Sequence, residues 1–238
     1  MTEMTEQGNV PGSSTAHRGP HPGLIGLVSL GLMLAGLAIG GALSGGDTLA
    51  SPFGPTAEVV RRIHEHWNAV RVAAFFQFAS AVPLAIYAAT VYARQLRLGV
   101  RVPGPVISLV GGIMAVVSLL VSAFAQFVLS RPEVTTDARL THALSFFSFV
   151  SGGTGYVVGL GLLIAGIAVP AYILRLMPRW LAGTGLVLAL LAELSSLSML
   201  VEVLQYLLPV GRFLGTLWLI AAGFLLPTQR PRRTEEAS

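Results

Sequence analysis

Two glutamates lie in the apolar run from Arg179 to Leu208, where a carboxyl group is costly to bury and is by default a candidate functional group. Glu193 falls near the middle of this run and Glu202 nine residues later. At about 100° per residue, that spacing on one helix places the two side chains on nearly opposite faces. They are therefore not expected to act as a close carboxylate pair, and each needs its own interpretation.

Further polar side chains fall at the same expected depth in neighbouring apolar runs. Gln77, Gln126, His142, Glu193 and Glu202 are predicted to line an outward-opening polar cavity that binds a cation, a proton or a small amphipathic ligand. The candidate ligand-binding or proton-binding residues are Glu193, Glu202, His142, Arg71, Gln77 and Gln126. The structural alternatives are an ion pair of Glu202 with Arg71 or His142, and a neutral Glu193 bonded to serine hydroxyls or backbone.

No metal, cofactor or catalytic residue is predicted. His64 and His66 point about 200° apart on a helix, and no HExxH motif is present. Gly153 to Gly159 has the spacing GxGxxxG and lies in an apolar run, so it is interpreted as packing glycine and not as a dinucleotide turn. The absence of cysteine excludes disulfides, thiolate metal sites and thiol catalysis. A bis-histidine haem between His142 and His64 or His66 stays open as an alternative.

Composition places the chain among membrane proteins. It is 53% hydrophobic and 11% charged with a mean hydropathy of +0.73, whereas soluble domains are about 25% charged. The formal charge of +4 comes from arginines in short loops and in the C-terminal tail. That distribution encodes membrane topology and does not predict a nucleic-acid partner.

An all-α bundle of six transmembrane spans is predicted within residues 23–227. The spans are expected at about 24–43, 69–92, 106–129, 142–171, 180–207 and 210–226, with an interfacial helix at 57–68. Residues 1–22 are predicted to be a disordered tail, and residues 228–238 a basic cytoplasmic tail. The first run could instead be a signal peptide cleaved near Ala42 and Ser44, which would leave five spans.

The arginine distribution predicts both termini on the cytoplasmic side of the cell membrane. Arg94, Arg97, Arg101, Arg175 and Arg179 share that side, whereas arginines on the other side are mostly offset by nearby acids. The lipid bilayer is thus the expected partner.

Glycines at 152, 155, 159 and 166 form a seam that allows close approach of a helix. That helix is expected from this chain, from a second copy or from a membrane partner.

The last third of the chain carries motifs of a known kind. Pro178-Arg179-Trp180-Leu181 with Gly185-Leu186, and the stretch from Arg212 to Ile220 with Gly223-Phe224, resemble a bacterial family of multi-pass membrane proteins described only as a domain of unknown function. A basic residue often stands in that family where Ala221 or Ala222 falls here. The resemblance implies the six-helix architecture and no activity.

Two classes of function are compatible with these residues. The leading expectation is a non-enzymatic transporter, sensor or accessory subunit that uses the outer polar cluster. The alternative is a membrane-embedded enzyme or a haem or quinone redox protein that uses His142 and Glu202.

Overall fold

A computed structural model describes residues 21–46 and 51–228. The predicted N-terminal tail lies outside these ranges except for His21 and Pro22, and the predicted basic tail except for Thr228. The helices are α1 (Pro22–Leu43), α2 (Thr56–Glu65), α3 (Trp67–Arg97), α4 (Gly104–Leu129), α5 (Ala138–Val150), α6 (Tyr156–Ile173), α7 (Arg179–Leu194), α8 (Leu207–Pro209) and α9 (Gly215–Leu225). The described ranges contain no β-strand.

Within residues 21–46 and 51–228, six helical segments are long and apolar enough to cross a bilayer, which confirms the predicted number. They are Pro22–Leu43, Trp67–Arg97, Gly104–Leu129, Ala138–Ile173, Arg179–Met199 and Glu202–Leu225. Short π-helical segments at Ser151–Gly155 and Val210–Leu214 lie inside the fourth and sixth of them. The loops 98–103 and 174–178 lie at one end of the bundle, which we call the arginine-rich end. The segments 51–66, 130–137 and 200–206 lie at the other, which we call the cavity end.

Local residue chemistry accounts for several helix boundaries. Pro22 opens α1, where its missing N–H costs nothing. The Asp137 carboxylate caps α5 by accepting hydrogen bonds from the backbone N–H groups of Arg139 and Leu140, at 3.0 and 3.1 Å. At the other end of the bundle, α3 stops where Gly99 takes a φ of 73°, a left-handed conformation that glycine adopts without strain.

The fifth span ends earlier than its predicted limit of 207. Ser195 and Ser196 donate hydrogen bonds to the carbonyls of Ala192 and Glu193, both at 2.6 Å, and the chain continues as a 3₁₀ helix only to Met199. Hydroxyls bonded back to the preceding turn compete with the α-helical pattern. Glu202 therefore begins the sixth span, and the geometry expected for two glutamates on one helix does not apply.

Helix α2 also separates from α3, because His66 leaves helical geometry with a φ of −114° and a ψ of 32°. The second span consequently begins at Trp67 and continues to Arg97, beyond both of its predicted limits of 69 and 92. Ile63 of α2 and Val70 of α3 remain packed together in a small apolar cluster with Val59 and Leu129. Helix α2 is thus held against the cavity end by apolar contact.

The glycine seam of the fourth span lies against α4, as its spacing predicts. A Cβ atom on Gly159 would overlap the backbone of Ala115, and one on Gly166 would overlap the backbone of Ser108. Helix α6 is the central helix of the bundle, since the side chains of Leu160, Leu163 and Ile164 are fully buried. This seam is therefore filled by the chain's own third span.

Buried polar side chains join α3 to the last helix near the arginine-rich end. The hydroxyl of Tyr87 donates to the carbonyl of Leu219 at 2.6 Å. Seven residues further along α3, the Arg94 guanidinium donates to the carbonyls of Gly223 and Leu226, at 3.2 and 3.1 Å. These bonds satisfy polar groups where no water is available, as a membrane-spanning fold requires.

Candidate functional site

A cavity of about 610 Å³ opens among the spans at the cavity end. Its volume lies within the range of about 300–1,000 Å³ that is usual for small-molecule sites. It is lined by residues from the second, third, fourth and sixth spans, from α2 and from the loop before α2: Ser51, Pro52, Ile63, Val70, Gln77, Ser122, Gln126, Leu129, Ser145, Ser148, Phe149, Gly152, Gly153, Gln205, Tyr206, Leu208, Pro209 and Arg212. The lining is therefore amphipathic.

An amide and hydroxyl network forms one wall of the cavity. Gln126 donates through Nε2 to Gln77 Oε1 at 3.1 Å and to Ser122 Oγ at 3.4 Å. The Ser122 hydroxyl donates to the carbonyl of Ser148 at 2.8 Å, and Gln77 Nε2 donates to the carbonyl of Leu119 at 3.2 Å. These bonds connect α3, α4 and α5 and hold several polar groups at the cavity surface.

Arg212 supplies the positive charge of the lining. Its guanidinium donates through one NH2 group to the carbonyl of Gly152 and lies 5.2 Å from the centre of the Tyr156 ring. A cation above an aromatic face is held by the ring quadrupole. Within residues 21–46 and 51–228, the ion pairs all lie in α2, so no carboxylate neutralises Arg212.

The hydrogen bond from Arg212 to Gly152 joins the two π-helical segments across the cavity. Arg212 belongs to Val210–Leu214 and Gly152 to Ser151–Gly155. A π turn pairs residues five apart, so it breaks the i to i−4 pattern, and such turns occur frequently at functional sites. Both segments present residues to the same cavity, which favours a binding role for it over an accidental packing gap.

Gln77 and Gln126 are the two predicted candidates that the structure brings together, and both line the cavity. His142 lies nearby at the cavity end but is absent from the lining. Its Nε2 pairs with the carbonyl of Pro52 at 2.9 Å and its Nδ1 with Thr56 Oγ1 at 3.2 Å. A role for His142 as a haem ligand would require one of these bonds to break, and that alternative stays a prediction.

Arg71, Glu193 and Glu202 lie apart from this cavity. The Arg71 guanidinium lies 5.0 Å from the centre of the Trp67 ring. Glu202 is exposed at the start of the sixth span and forms no ion pair with Arg71 or His142 within the described chain. The Glu193 Oε1 atom is buried without a hydrogen-bond partner and packs near Gly161 of α6. The neighbouring hydroxyls of Ser195 and Ser196 donate to backbone carbonyls instead, so among the described residues Glu193 Oε1 lacks the expected serine or backbone partner.

The polar face of α2 carries the ion pairs of the cavity end. Glu58 accepts hydrogen bonds from Arg61 at 2.8 Å and from Arg62 at 2.6 Å, and Arg61 also donates to Glu65 at 2.7 Å. The hydrogen bonds from Arg61 and then Arg62 lower the pKa of the Glu58 carboxyl from its ordinary 4.5. The hydrogen bonds that Arg61 donates, first to Glu58 and to a lesser extent to Glu65, raise the pKa of the Arg61 guanidinium. Helix α2 is thus a locally ion-paired cover beside the cavity.

Histidine and carboxylate side chains do not form a metal site in the part of the chain that the structure describes. No group of three or more His, Cys, Asp or Glu side chains is close enough to hold a metal ion there. His64 is the other histidine considered as a haem ligand. Its Nδ1 lies 2.7 Å from the hydroxyl of Thr135 and forms a hydrogen bond with it. The polar side chains that line the cavity carry amides, hydroxyls and one guanidinium.

Sequence reasoning missed Arg212. The predicted sixth span at 210–226 already contains Arg212, but the arginine was used only as a topology charge and not as a candidate site residue. In the structure the sixth span begins at Glu202 and stays helical through Pro209 and Gly211, so Arg212 lies well inside the span and not at its first turn. The available signal was an arginine with no carboxylate between Val203 and Leu226.

Six apolar spans around a polar cavity define the class of this chain as a multi-pass α-helical membrane protein. No protein-family model matches the chain, and no curated protein or solved structure is significantly similar to it. The resemblance of the C-terminal third to a family of unknown function stays a prediction.

Proposed function

We propose that this protein is a non-enzymatic integral membrane protein that binds a small amphipathic ligand in the cavity, in the role of a sensor, an accessory subunit or a transporter. The observation that supports this most directly is the cavity of about 610 Å³, whose lining includes the Gln77–Gln126–Ser122 network and Arg212, bonded from one π-helical segment to the other. Polar groups at such depth are costly, which favours a functional reason for their presence.

The cavity opens away from the arginine-rich end. Arg97 and Arg101 lie at that end, which the positive-inside rule assigns to the cytoplasm. We therefore infer that both termini are cytoplasmic, that the protein lies in the cytoplasmic membrane and that the cavity faces outward.

The centre of the bundle is closed in this conformation. The side chains of Leu160, Leu163 and Ile164 on α6 are fully buried, and α4 is packed tightly along the glycine seam. A cavity with one open end suits recognition of a ligand. Transport would additionally require α4 and α6 to separate, so sensing or an accessory role is the simpler form of the proposal.

The natural absence of cysteine allows a direct test in the full chain. Single Ser145→Cys and Gln205→Cys variants place a thiol in the cavity lining. Ser108→Cys is the buried control, because Ser108 of α4 is 0% exposed and donates a hydrogen bond to Gln95 of α3. Val102→Cys is the loop control at the arginine-rich end, where Val102 is 47% exposed.

A membrane-impermeant charged maleimide added to intact spheroplasts should label Ser145→Cys and Gln205→Cys and leave Ser108→Cys unlabelled. Val102→Cys should react only after the membrane is permeabilised. Labelling of Val102→Cys in intact spheroplasts would contradict the orientation. A Ser145→Cys thiol as unreactive as Ser108→Cys, even after permeabilisation, would contradict an open cavity and with it the proposed function.

A further inference from the structure

We propose that Arg212 is the anchor for an anionic group, a carboxylate or a phosphate, on the amphipathic ligand of this cavity. This inference rests on the proposed function and deepens it by naming the chemical class of the ligand. The charge, the remaining hydrogen-bond donors and the apolar surroundings of Arg212 each contribute to it.

The charge of Arg212 has no counterion among the residues that the structure describes. The ion pairs of the described residues join Glu58, Arg61, Arg62 and Glu65, all on α2. Burying a guanidinium without a carboxylate is unfavourable unless another group compensates it. The Tyr156 ring at 5.2 Å and the Gly152 carbonyl compensate part of this cost. An anion in the cavity would compensate the rest.

The guanidinium also keeps donors that the protein does not use. A guanidinium carries five N–H donors, and in the described chain Arg212 uses one nitrogen, toward Gly152. The bond to Gly152 and the contact with Tyr156 hold the planar group at the cavity wall. Its planar fork matches the two oxygens of a carboxylate or phosphate, which is why arginine is the usual residue for such groups.

Apolar side chains elsewhere in the lining indicate the rest of the ligand. Phe149 and Leu208 line the cavity on the side of Arg212, while Ile63, Val70 and Leu129 belong to the apolar lining beneath α2. A small molecule with one anionic end and an apolar body would satisfy both parts of the lining. A cation would instead be repelled by Arg212, so the charge favours the amphipathic ligand of the sequence-based expectation over a cation.

The anionic group bound by Arg212 could belong to a water-soluble organic acid or to the headgroup of an acidic lipid in the outer leaflet. The probe for the first is 4-phenylbutyrate, compared with its neutral analogue 4-phenylbutanol, in nanodiscs of phosphatidylcholine. The probe for the second is phosphatidylglycerol, whose retention by the purified protein is measured by native mass spectrometry after exchange into mixed lipid.

The variants are Arg212→Gln and Arg212→Lys, with Arg131→Gln as the matched control. Arg131 lies at the same end of the bundle and likewise stacks on an aromatic ring, 4.6 Å from the centre of Phe127, but it does not line the cavity. Elution as a single species from a sizing column is checked for each variant. Wild-type selectivity for acid over alcohol tests the inference even if Arg212→Gln does not fold.

Wild type and Arg131→Gln should bind 4-phenylbutyrate at least ten-fold more tightly than 4-phenylbutanol, or should retain phosphatidylglycerol in preference to phosphatidylcholine. Arg212→Gln should remove that preference, about a ten-fold loss of affinity for the acid with little change for the alcohol. Arg212→Lys should keep part of it, because the charge remains without the planar fork. Selectivity for the butyrate identifies a soluble acid as the source, and selective lipid retention identifies a headgroup.

Equal binding of acid and alcohol by wild type, together with no lipid preference, would overturn the inference. So would an Arg212→Gln variant that loses affinity for both probes equally, because Arg212 would then only support the π-helical segments. If the cavity thiols are labelled while this selectivity is absent, the proposed function stands and the anionic class fails. If the cavity thiols are also unreactive, both fail.

Discussion

Replacing Gly159 by alanine should destabilise the bundle, because this glycine lies where the backbones of α6 and α4 are in close contact. A Cβ atom at Gly159 would overlap the backbone nitrogen of Ala115, lie 2.9 Å from its Cα atom and lie 3.0 Å from the carbonyl oxygen of Gly111. All three atoms belong to the backbone of α4, so no side chain can rotate away. The two central helices would have to separate.

The expected magnitude combines two opposing effects. Overpacking a rigid core costs about 1–3 kcal/mol. Alanine in place of glycine in a helix interior contributes roughly 0.5–1 kcal/mol in the other direction. The difference lies between about 0 and 2.5 kcal/mol, and we expect a net loss of about 1–2 kcal/mol because all three contacts are with backbone atoms. For a chain of this size that is a fall of several degrees, roughly 2–8 °C, in the midpoint of thermal unfolding.

Gly31→Ala is the matched control, since Gly31 is also inside a spanning helix but is exposed with no atom within 4 Å of an added Cβ. It should be neutral or slightly stabilising. The free energy of unfolding of both variants can be measured in mixed micelles by titration with sodium dodecyl sulfate, using tryptophan fluorescence. Equal stability of Gly159→Ala and Gly31→Ala would refute the packing described for α4 and α6.

Two further predictions concern hydrogen bonds at opposite ends of the bundle. Tyr87→Phe should lose about 0.5–1.5 kcal/mol of unfolding free energy, because Tyr87 is 1% exposed and donates to Leu219, while Tyr172→Phe, at a 46% exposed position, should lose nothing measurable. At the cavity end, the lowered pKa of Glu58 gives a stabilising contribution that is fully present above its ordinary value of 4.5 and is lost as the pH falls through the lower folded value. The thermal midpoint of wild type should thus fall more between about pH 6 and about pH 3 than that of Glu58→Gln, with Glu133→Gln behaving like wild type. Equal falls in all three proteins would contradict this reasoning.

The spans could be predicted from sequence because their number depends on composition over about 20 residues, and not on the pattern of contacts. Gln77 and Gln126 could be assigned to one polar cavity from their expected depth, but the hydrogen bond between them was not predicted. The glycine seam of α6 was likewise legible from its spacing.

The remaining features of the fold depend on local backbone geometry, which cannot be read from the hydropathy of the sequence. An α, a 3₁₀ and a π turn of the same residues have the same composition, so the break after Met199 and the π-helical segment around Arg212 were not visible. The predicted boundary between the fifth and sixth spans falls at 208–209, where the chain is helical. The actual break after Met199 places Glu202 in the sixth span and puts Arg212 well inside that span.

The contacts of Arg94 have a consequence for the biogenesis of the protein. Its carbonyl partners, Gly223 and Leu226, follow it by 129 and 132 residues, so the ribosome completes the second span long before those partners exist. During synthesis Arg94 can act only as a free positive charge that helps to retain the end of the second span on its side of the bilayer. Once the last helix docks, the same side chain becomes a cap for the end of that helix. One arginine thus serves first in insertion and then in closing the finished bundle.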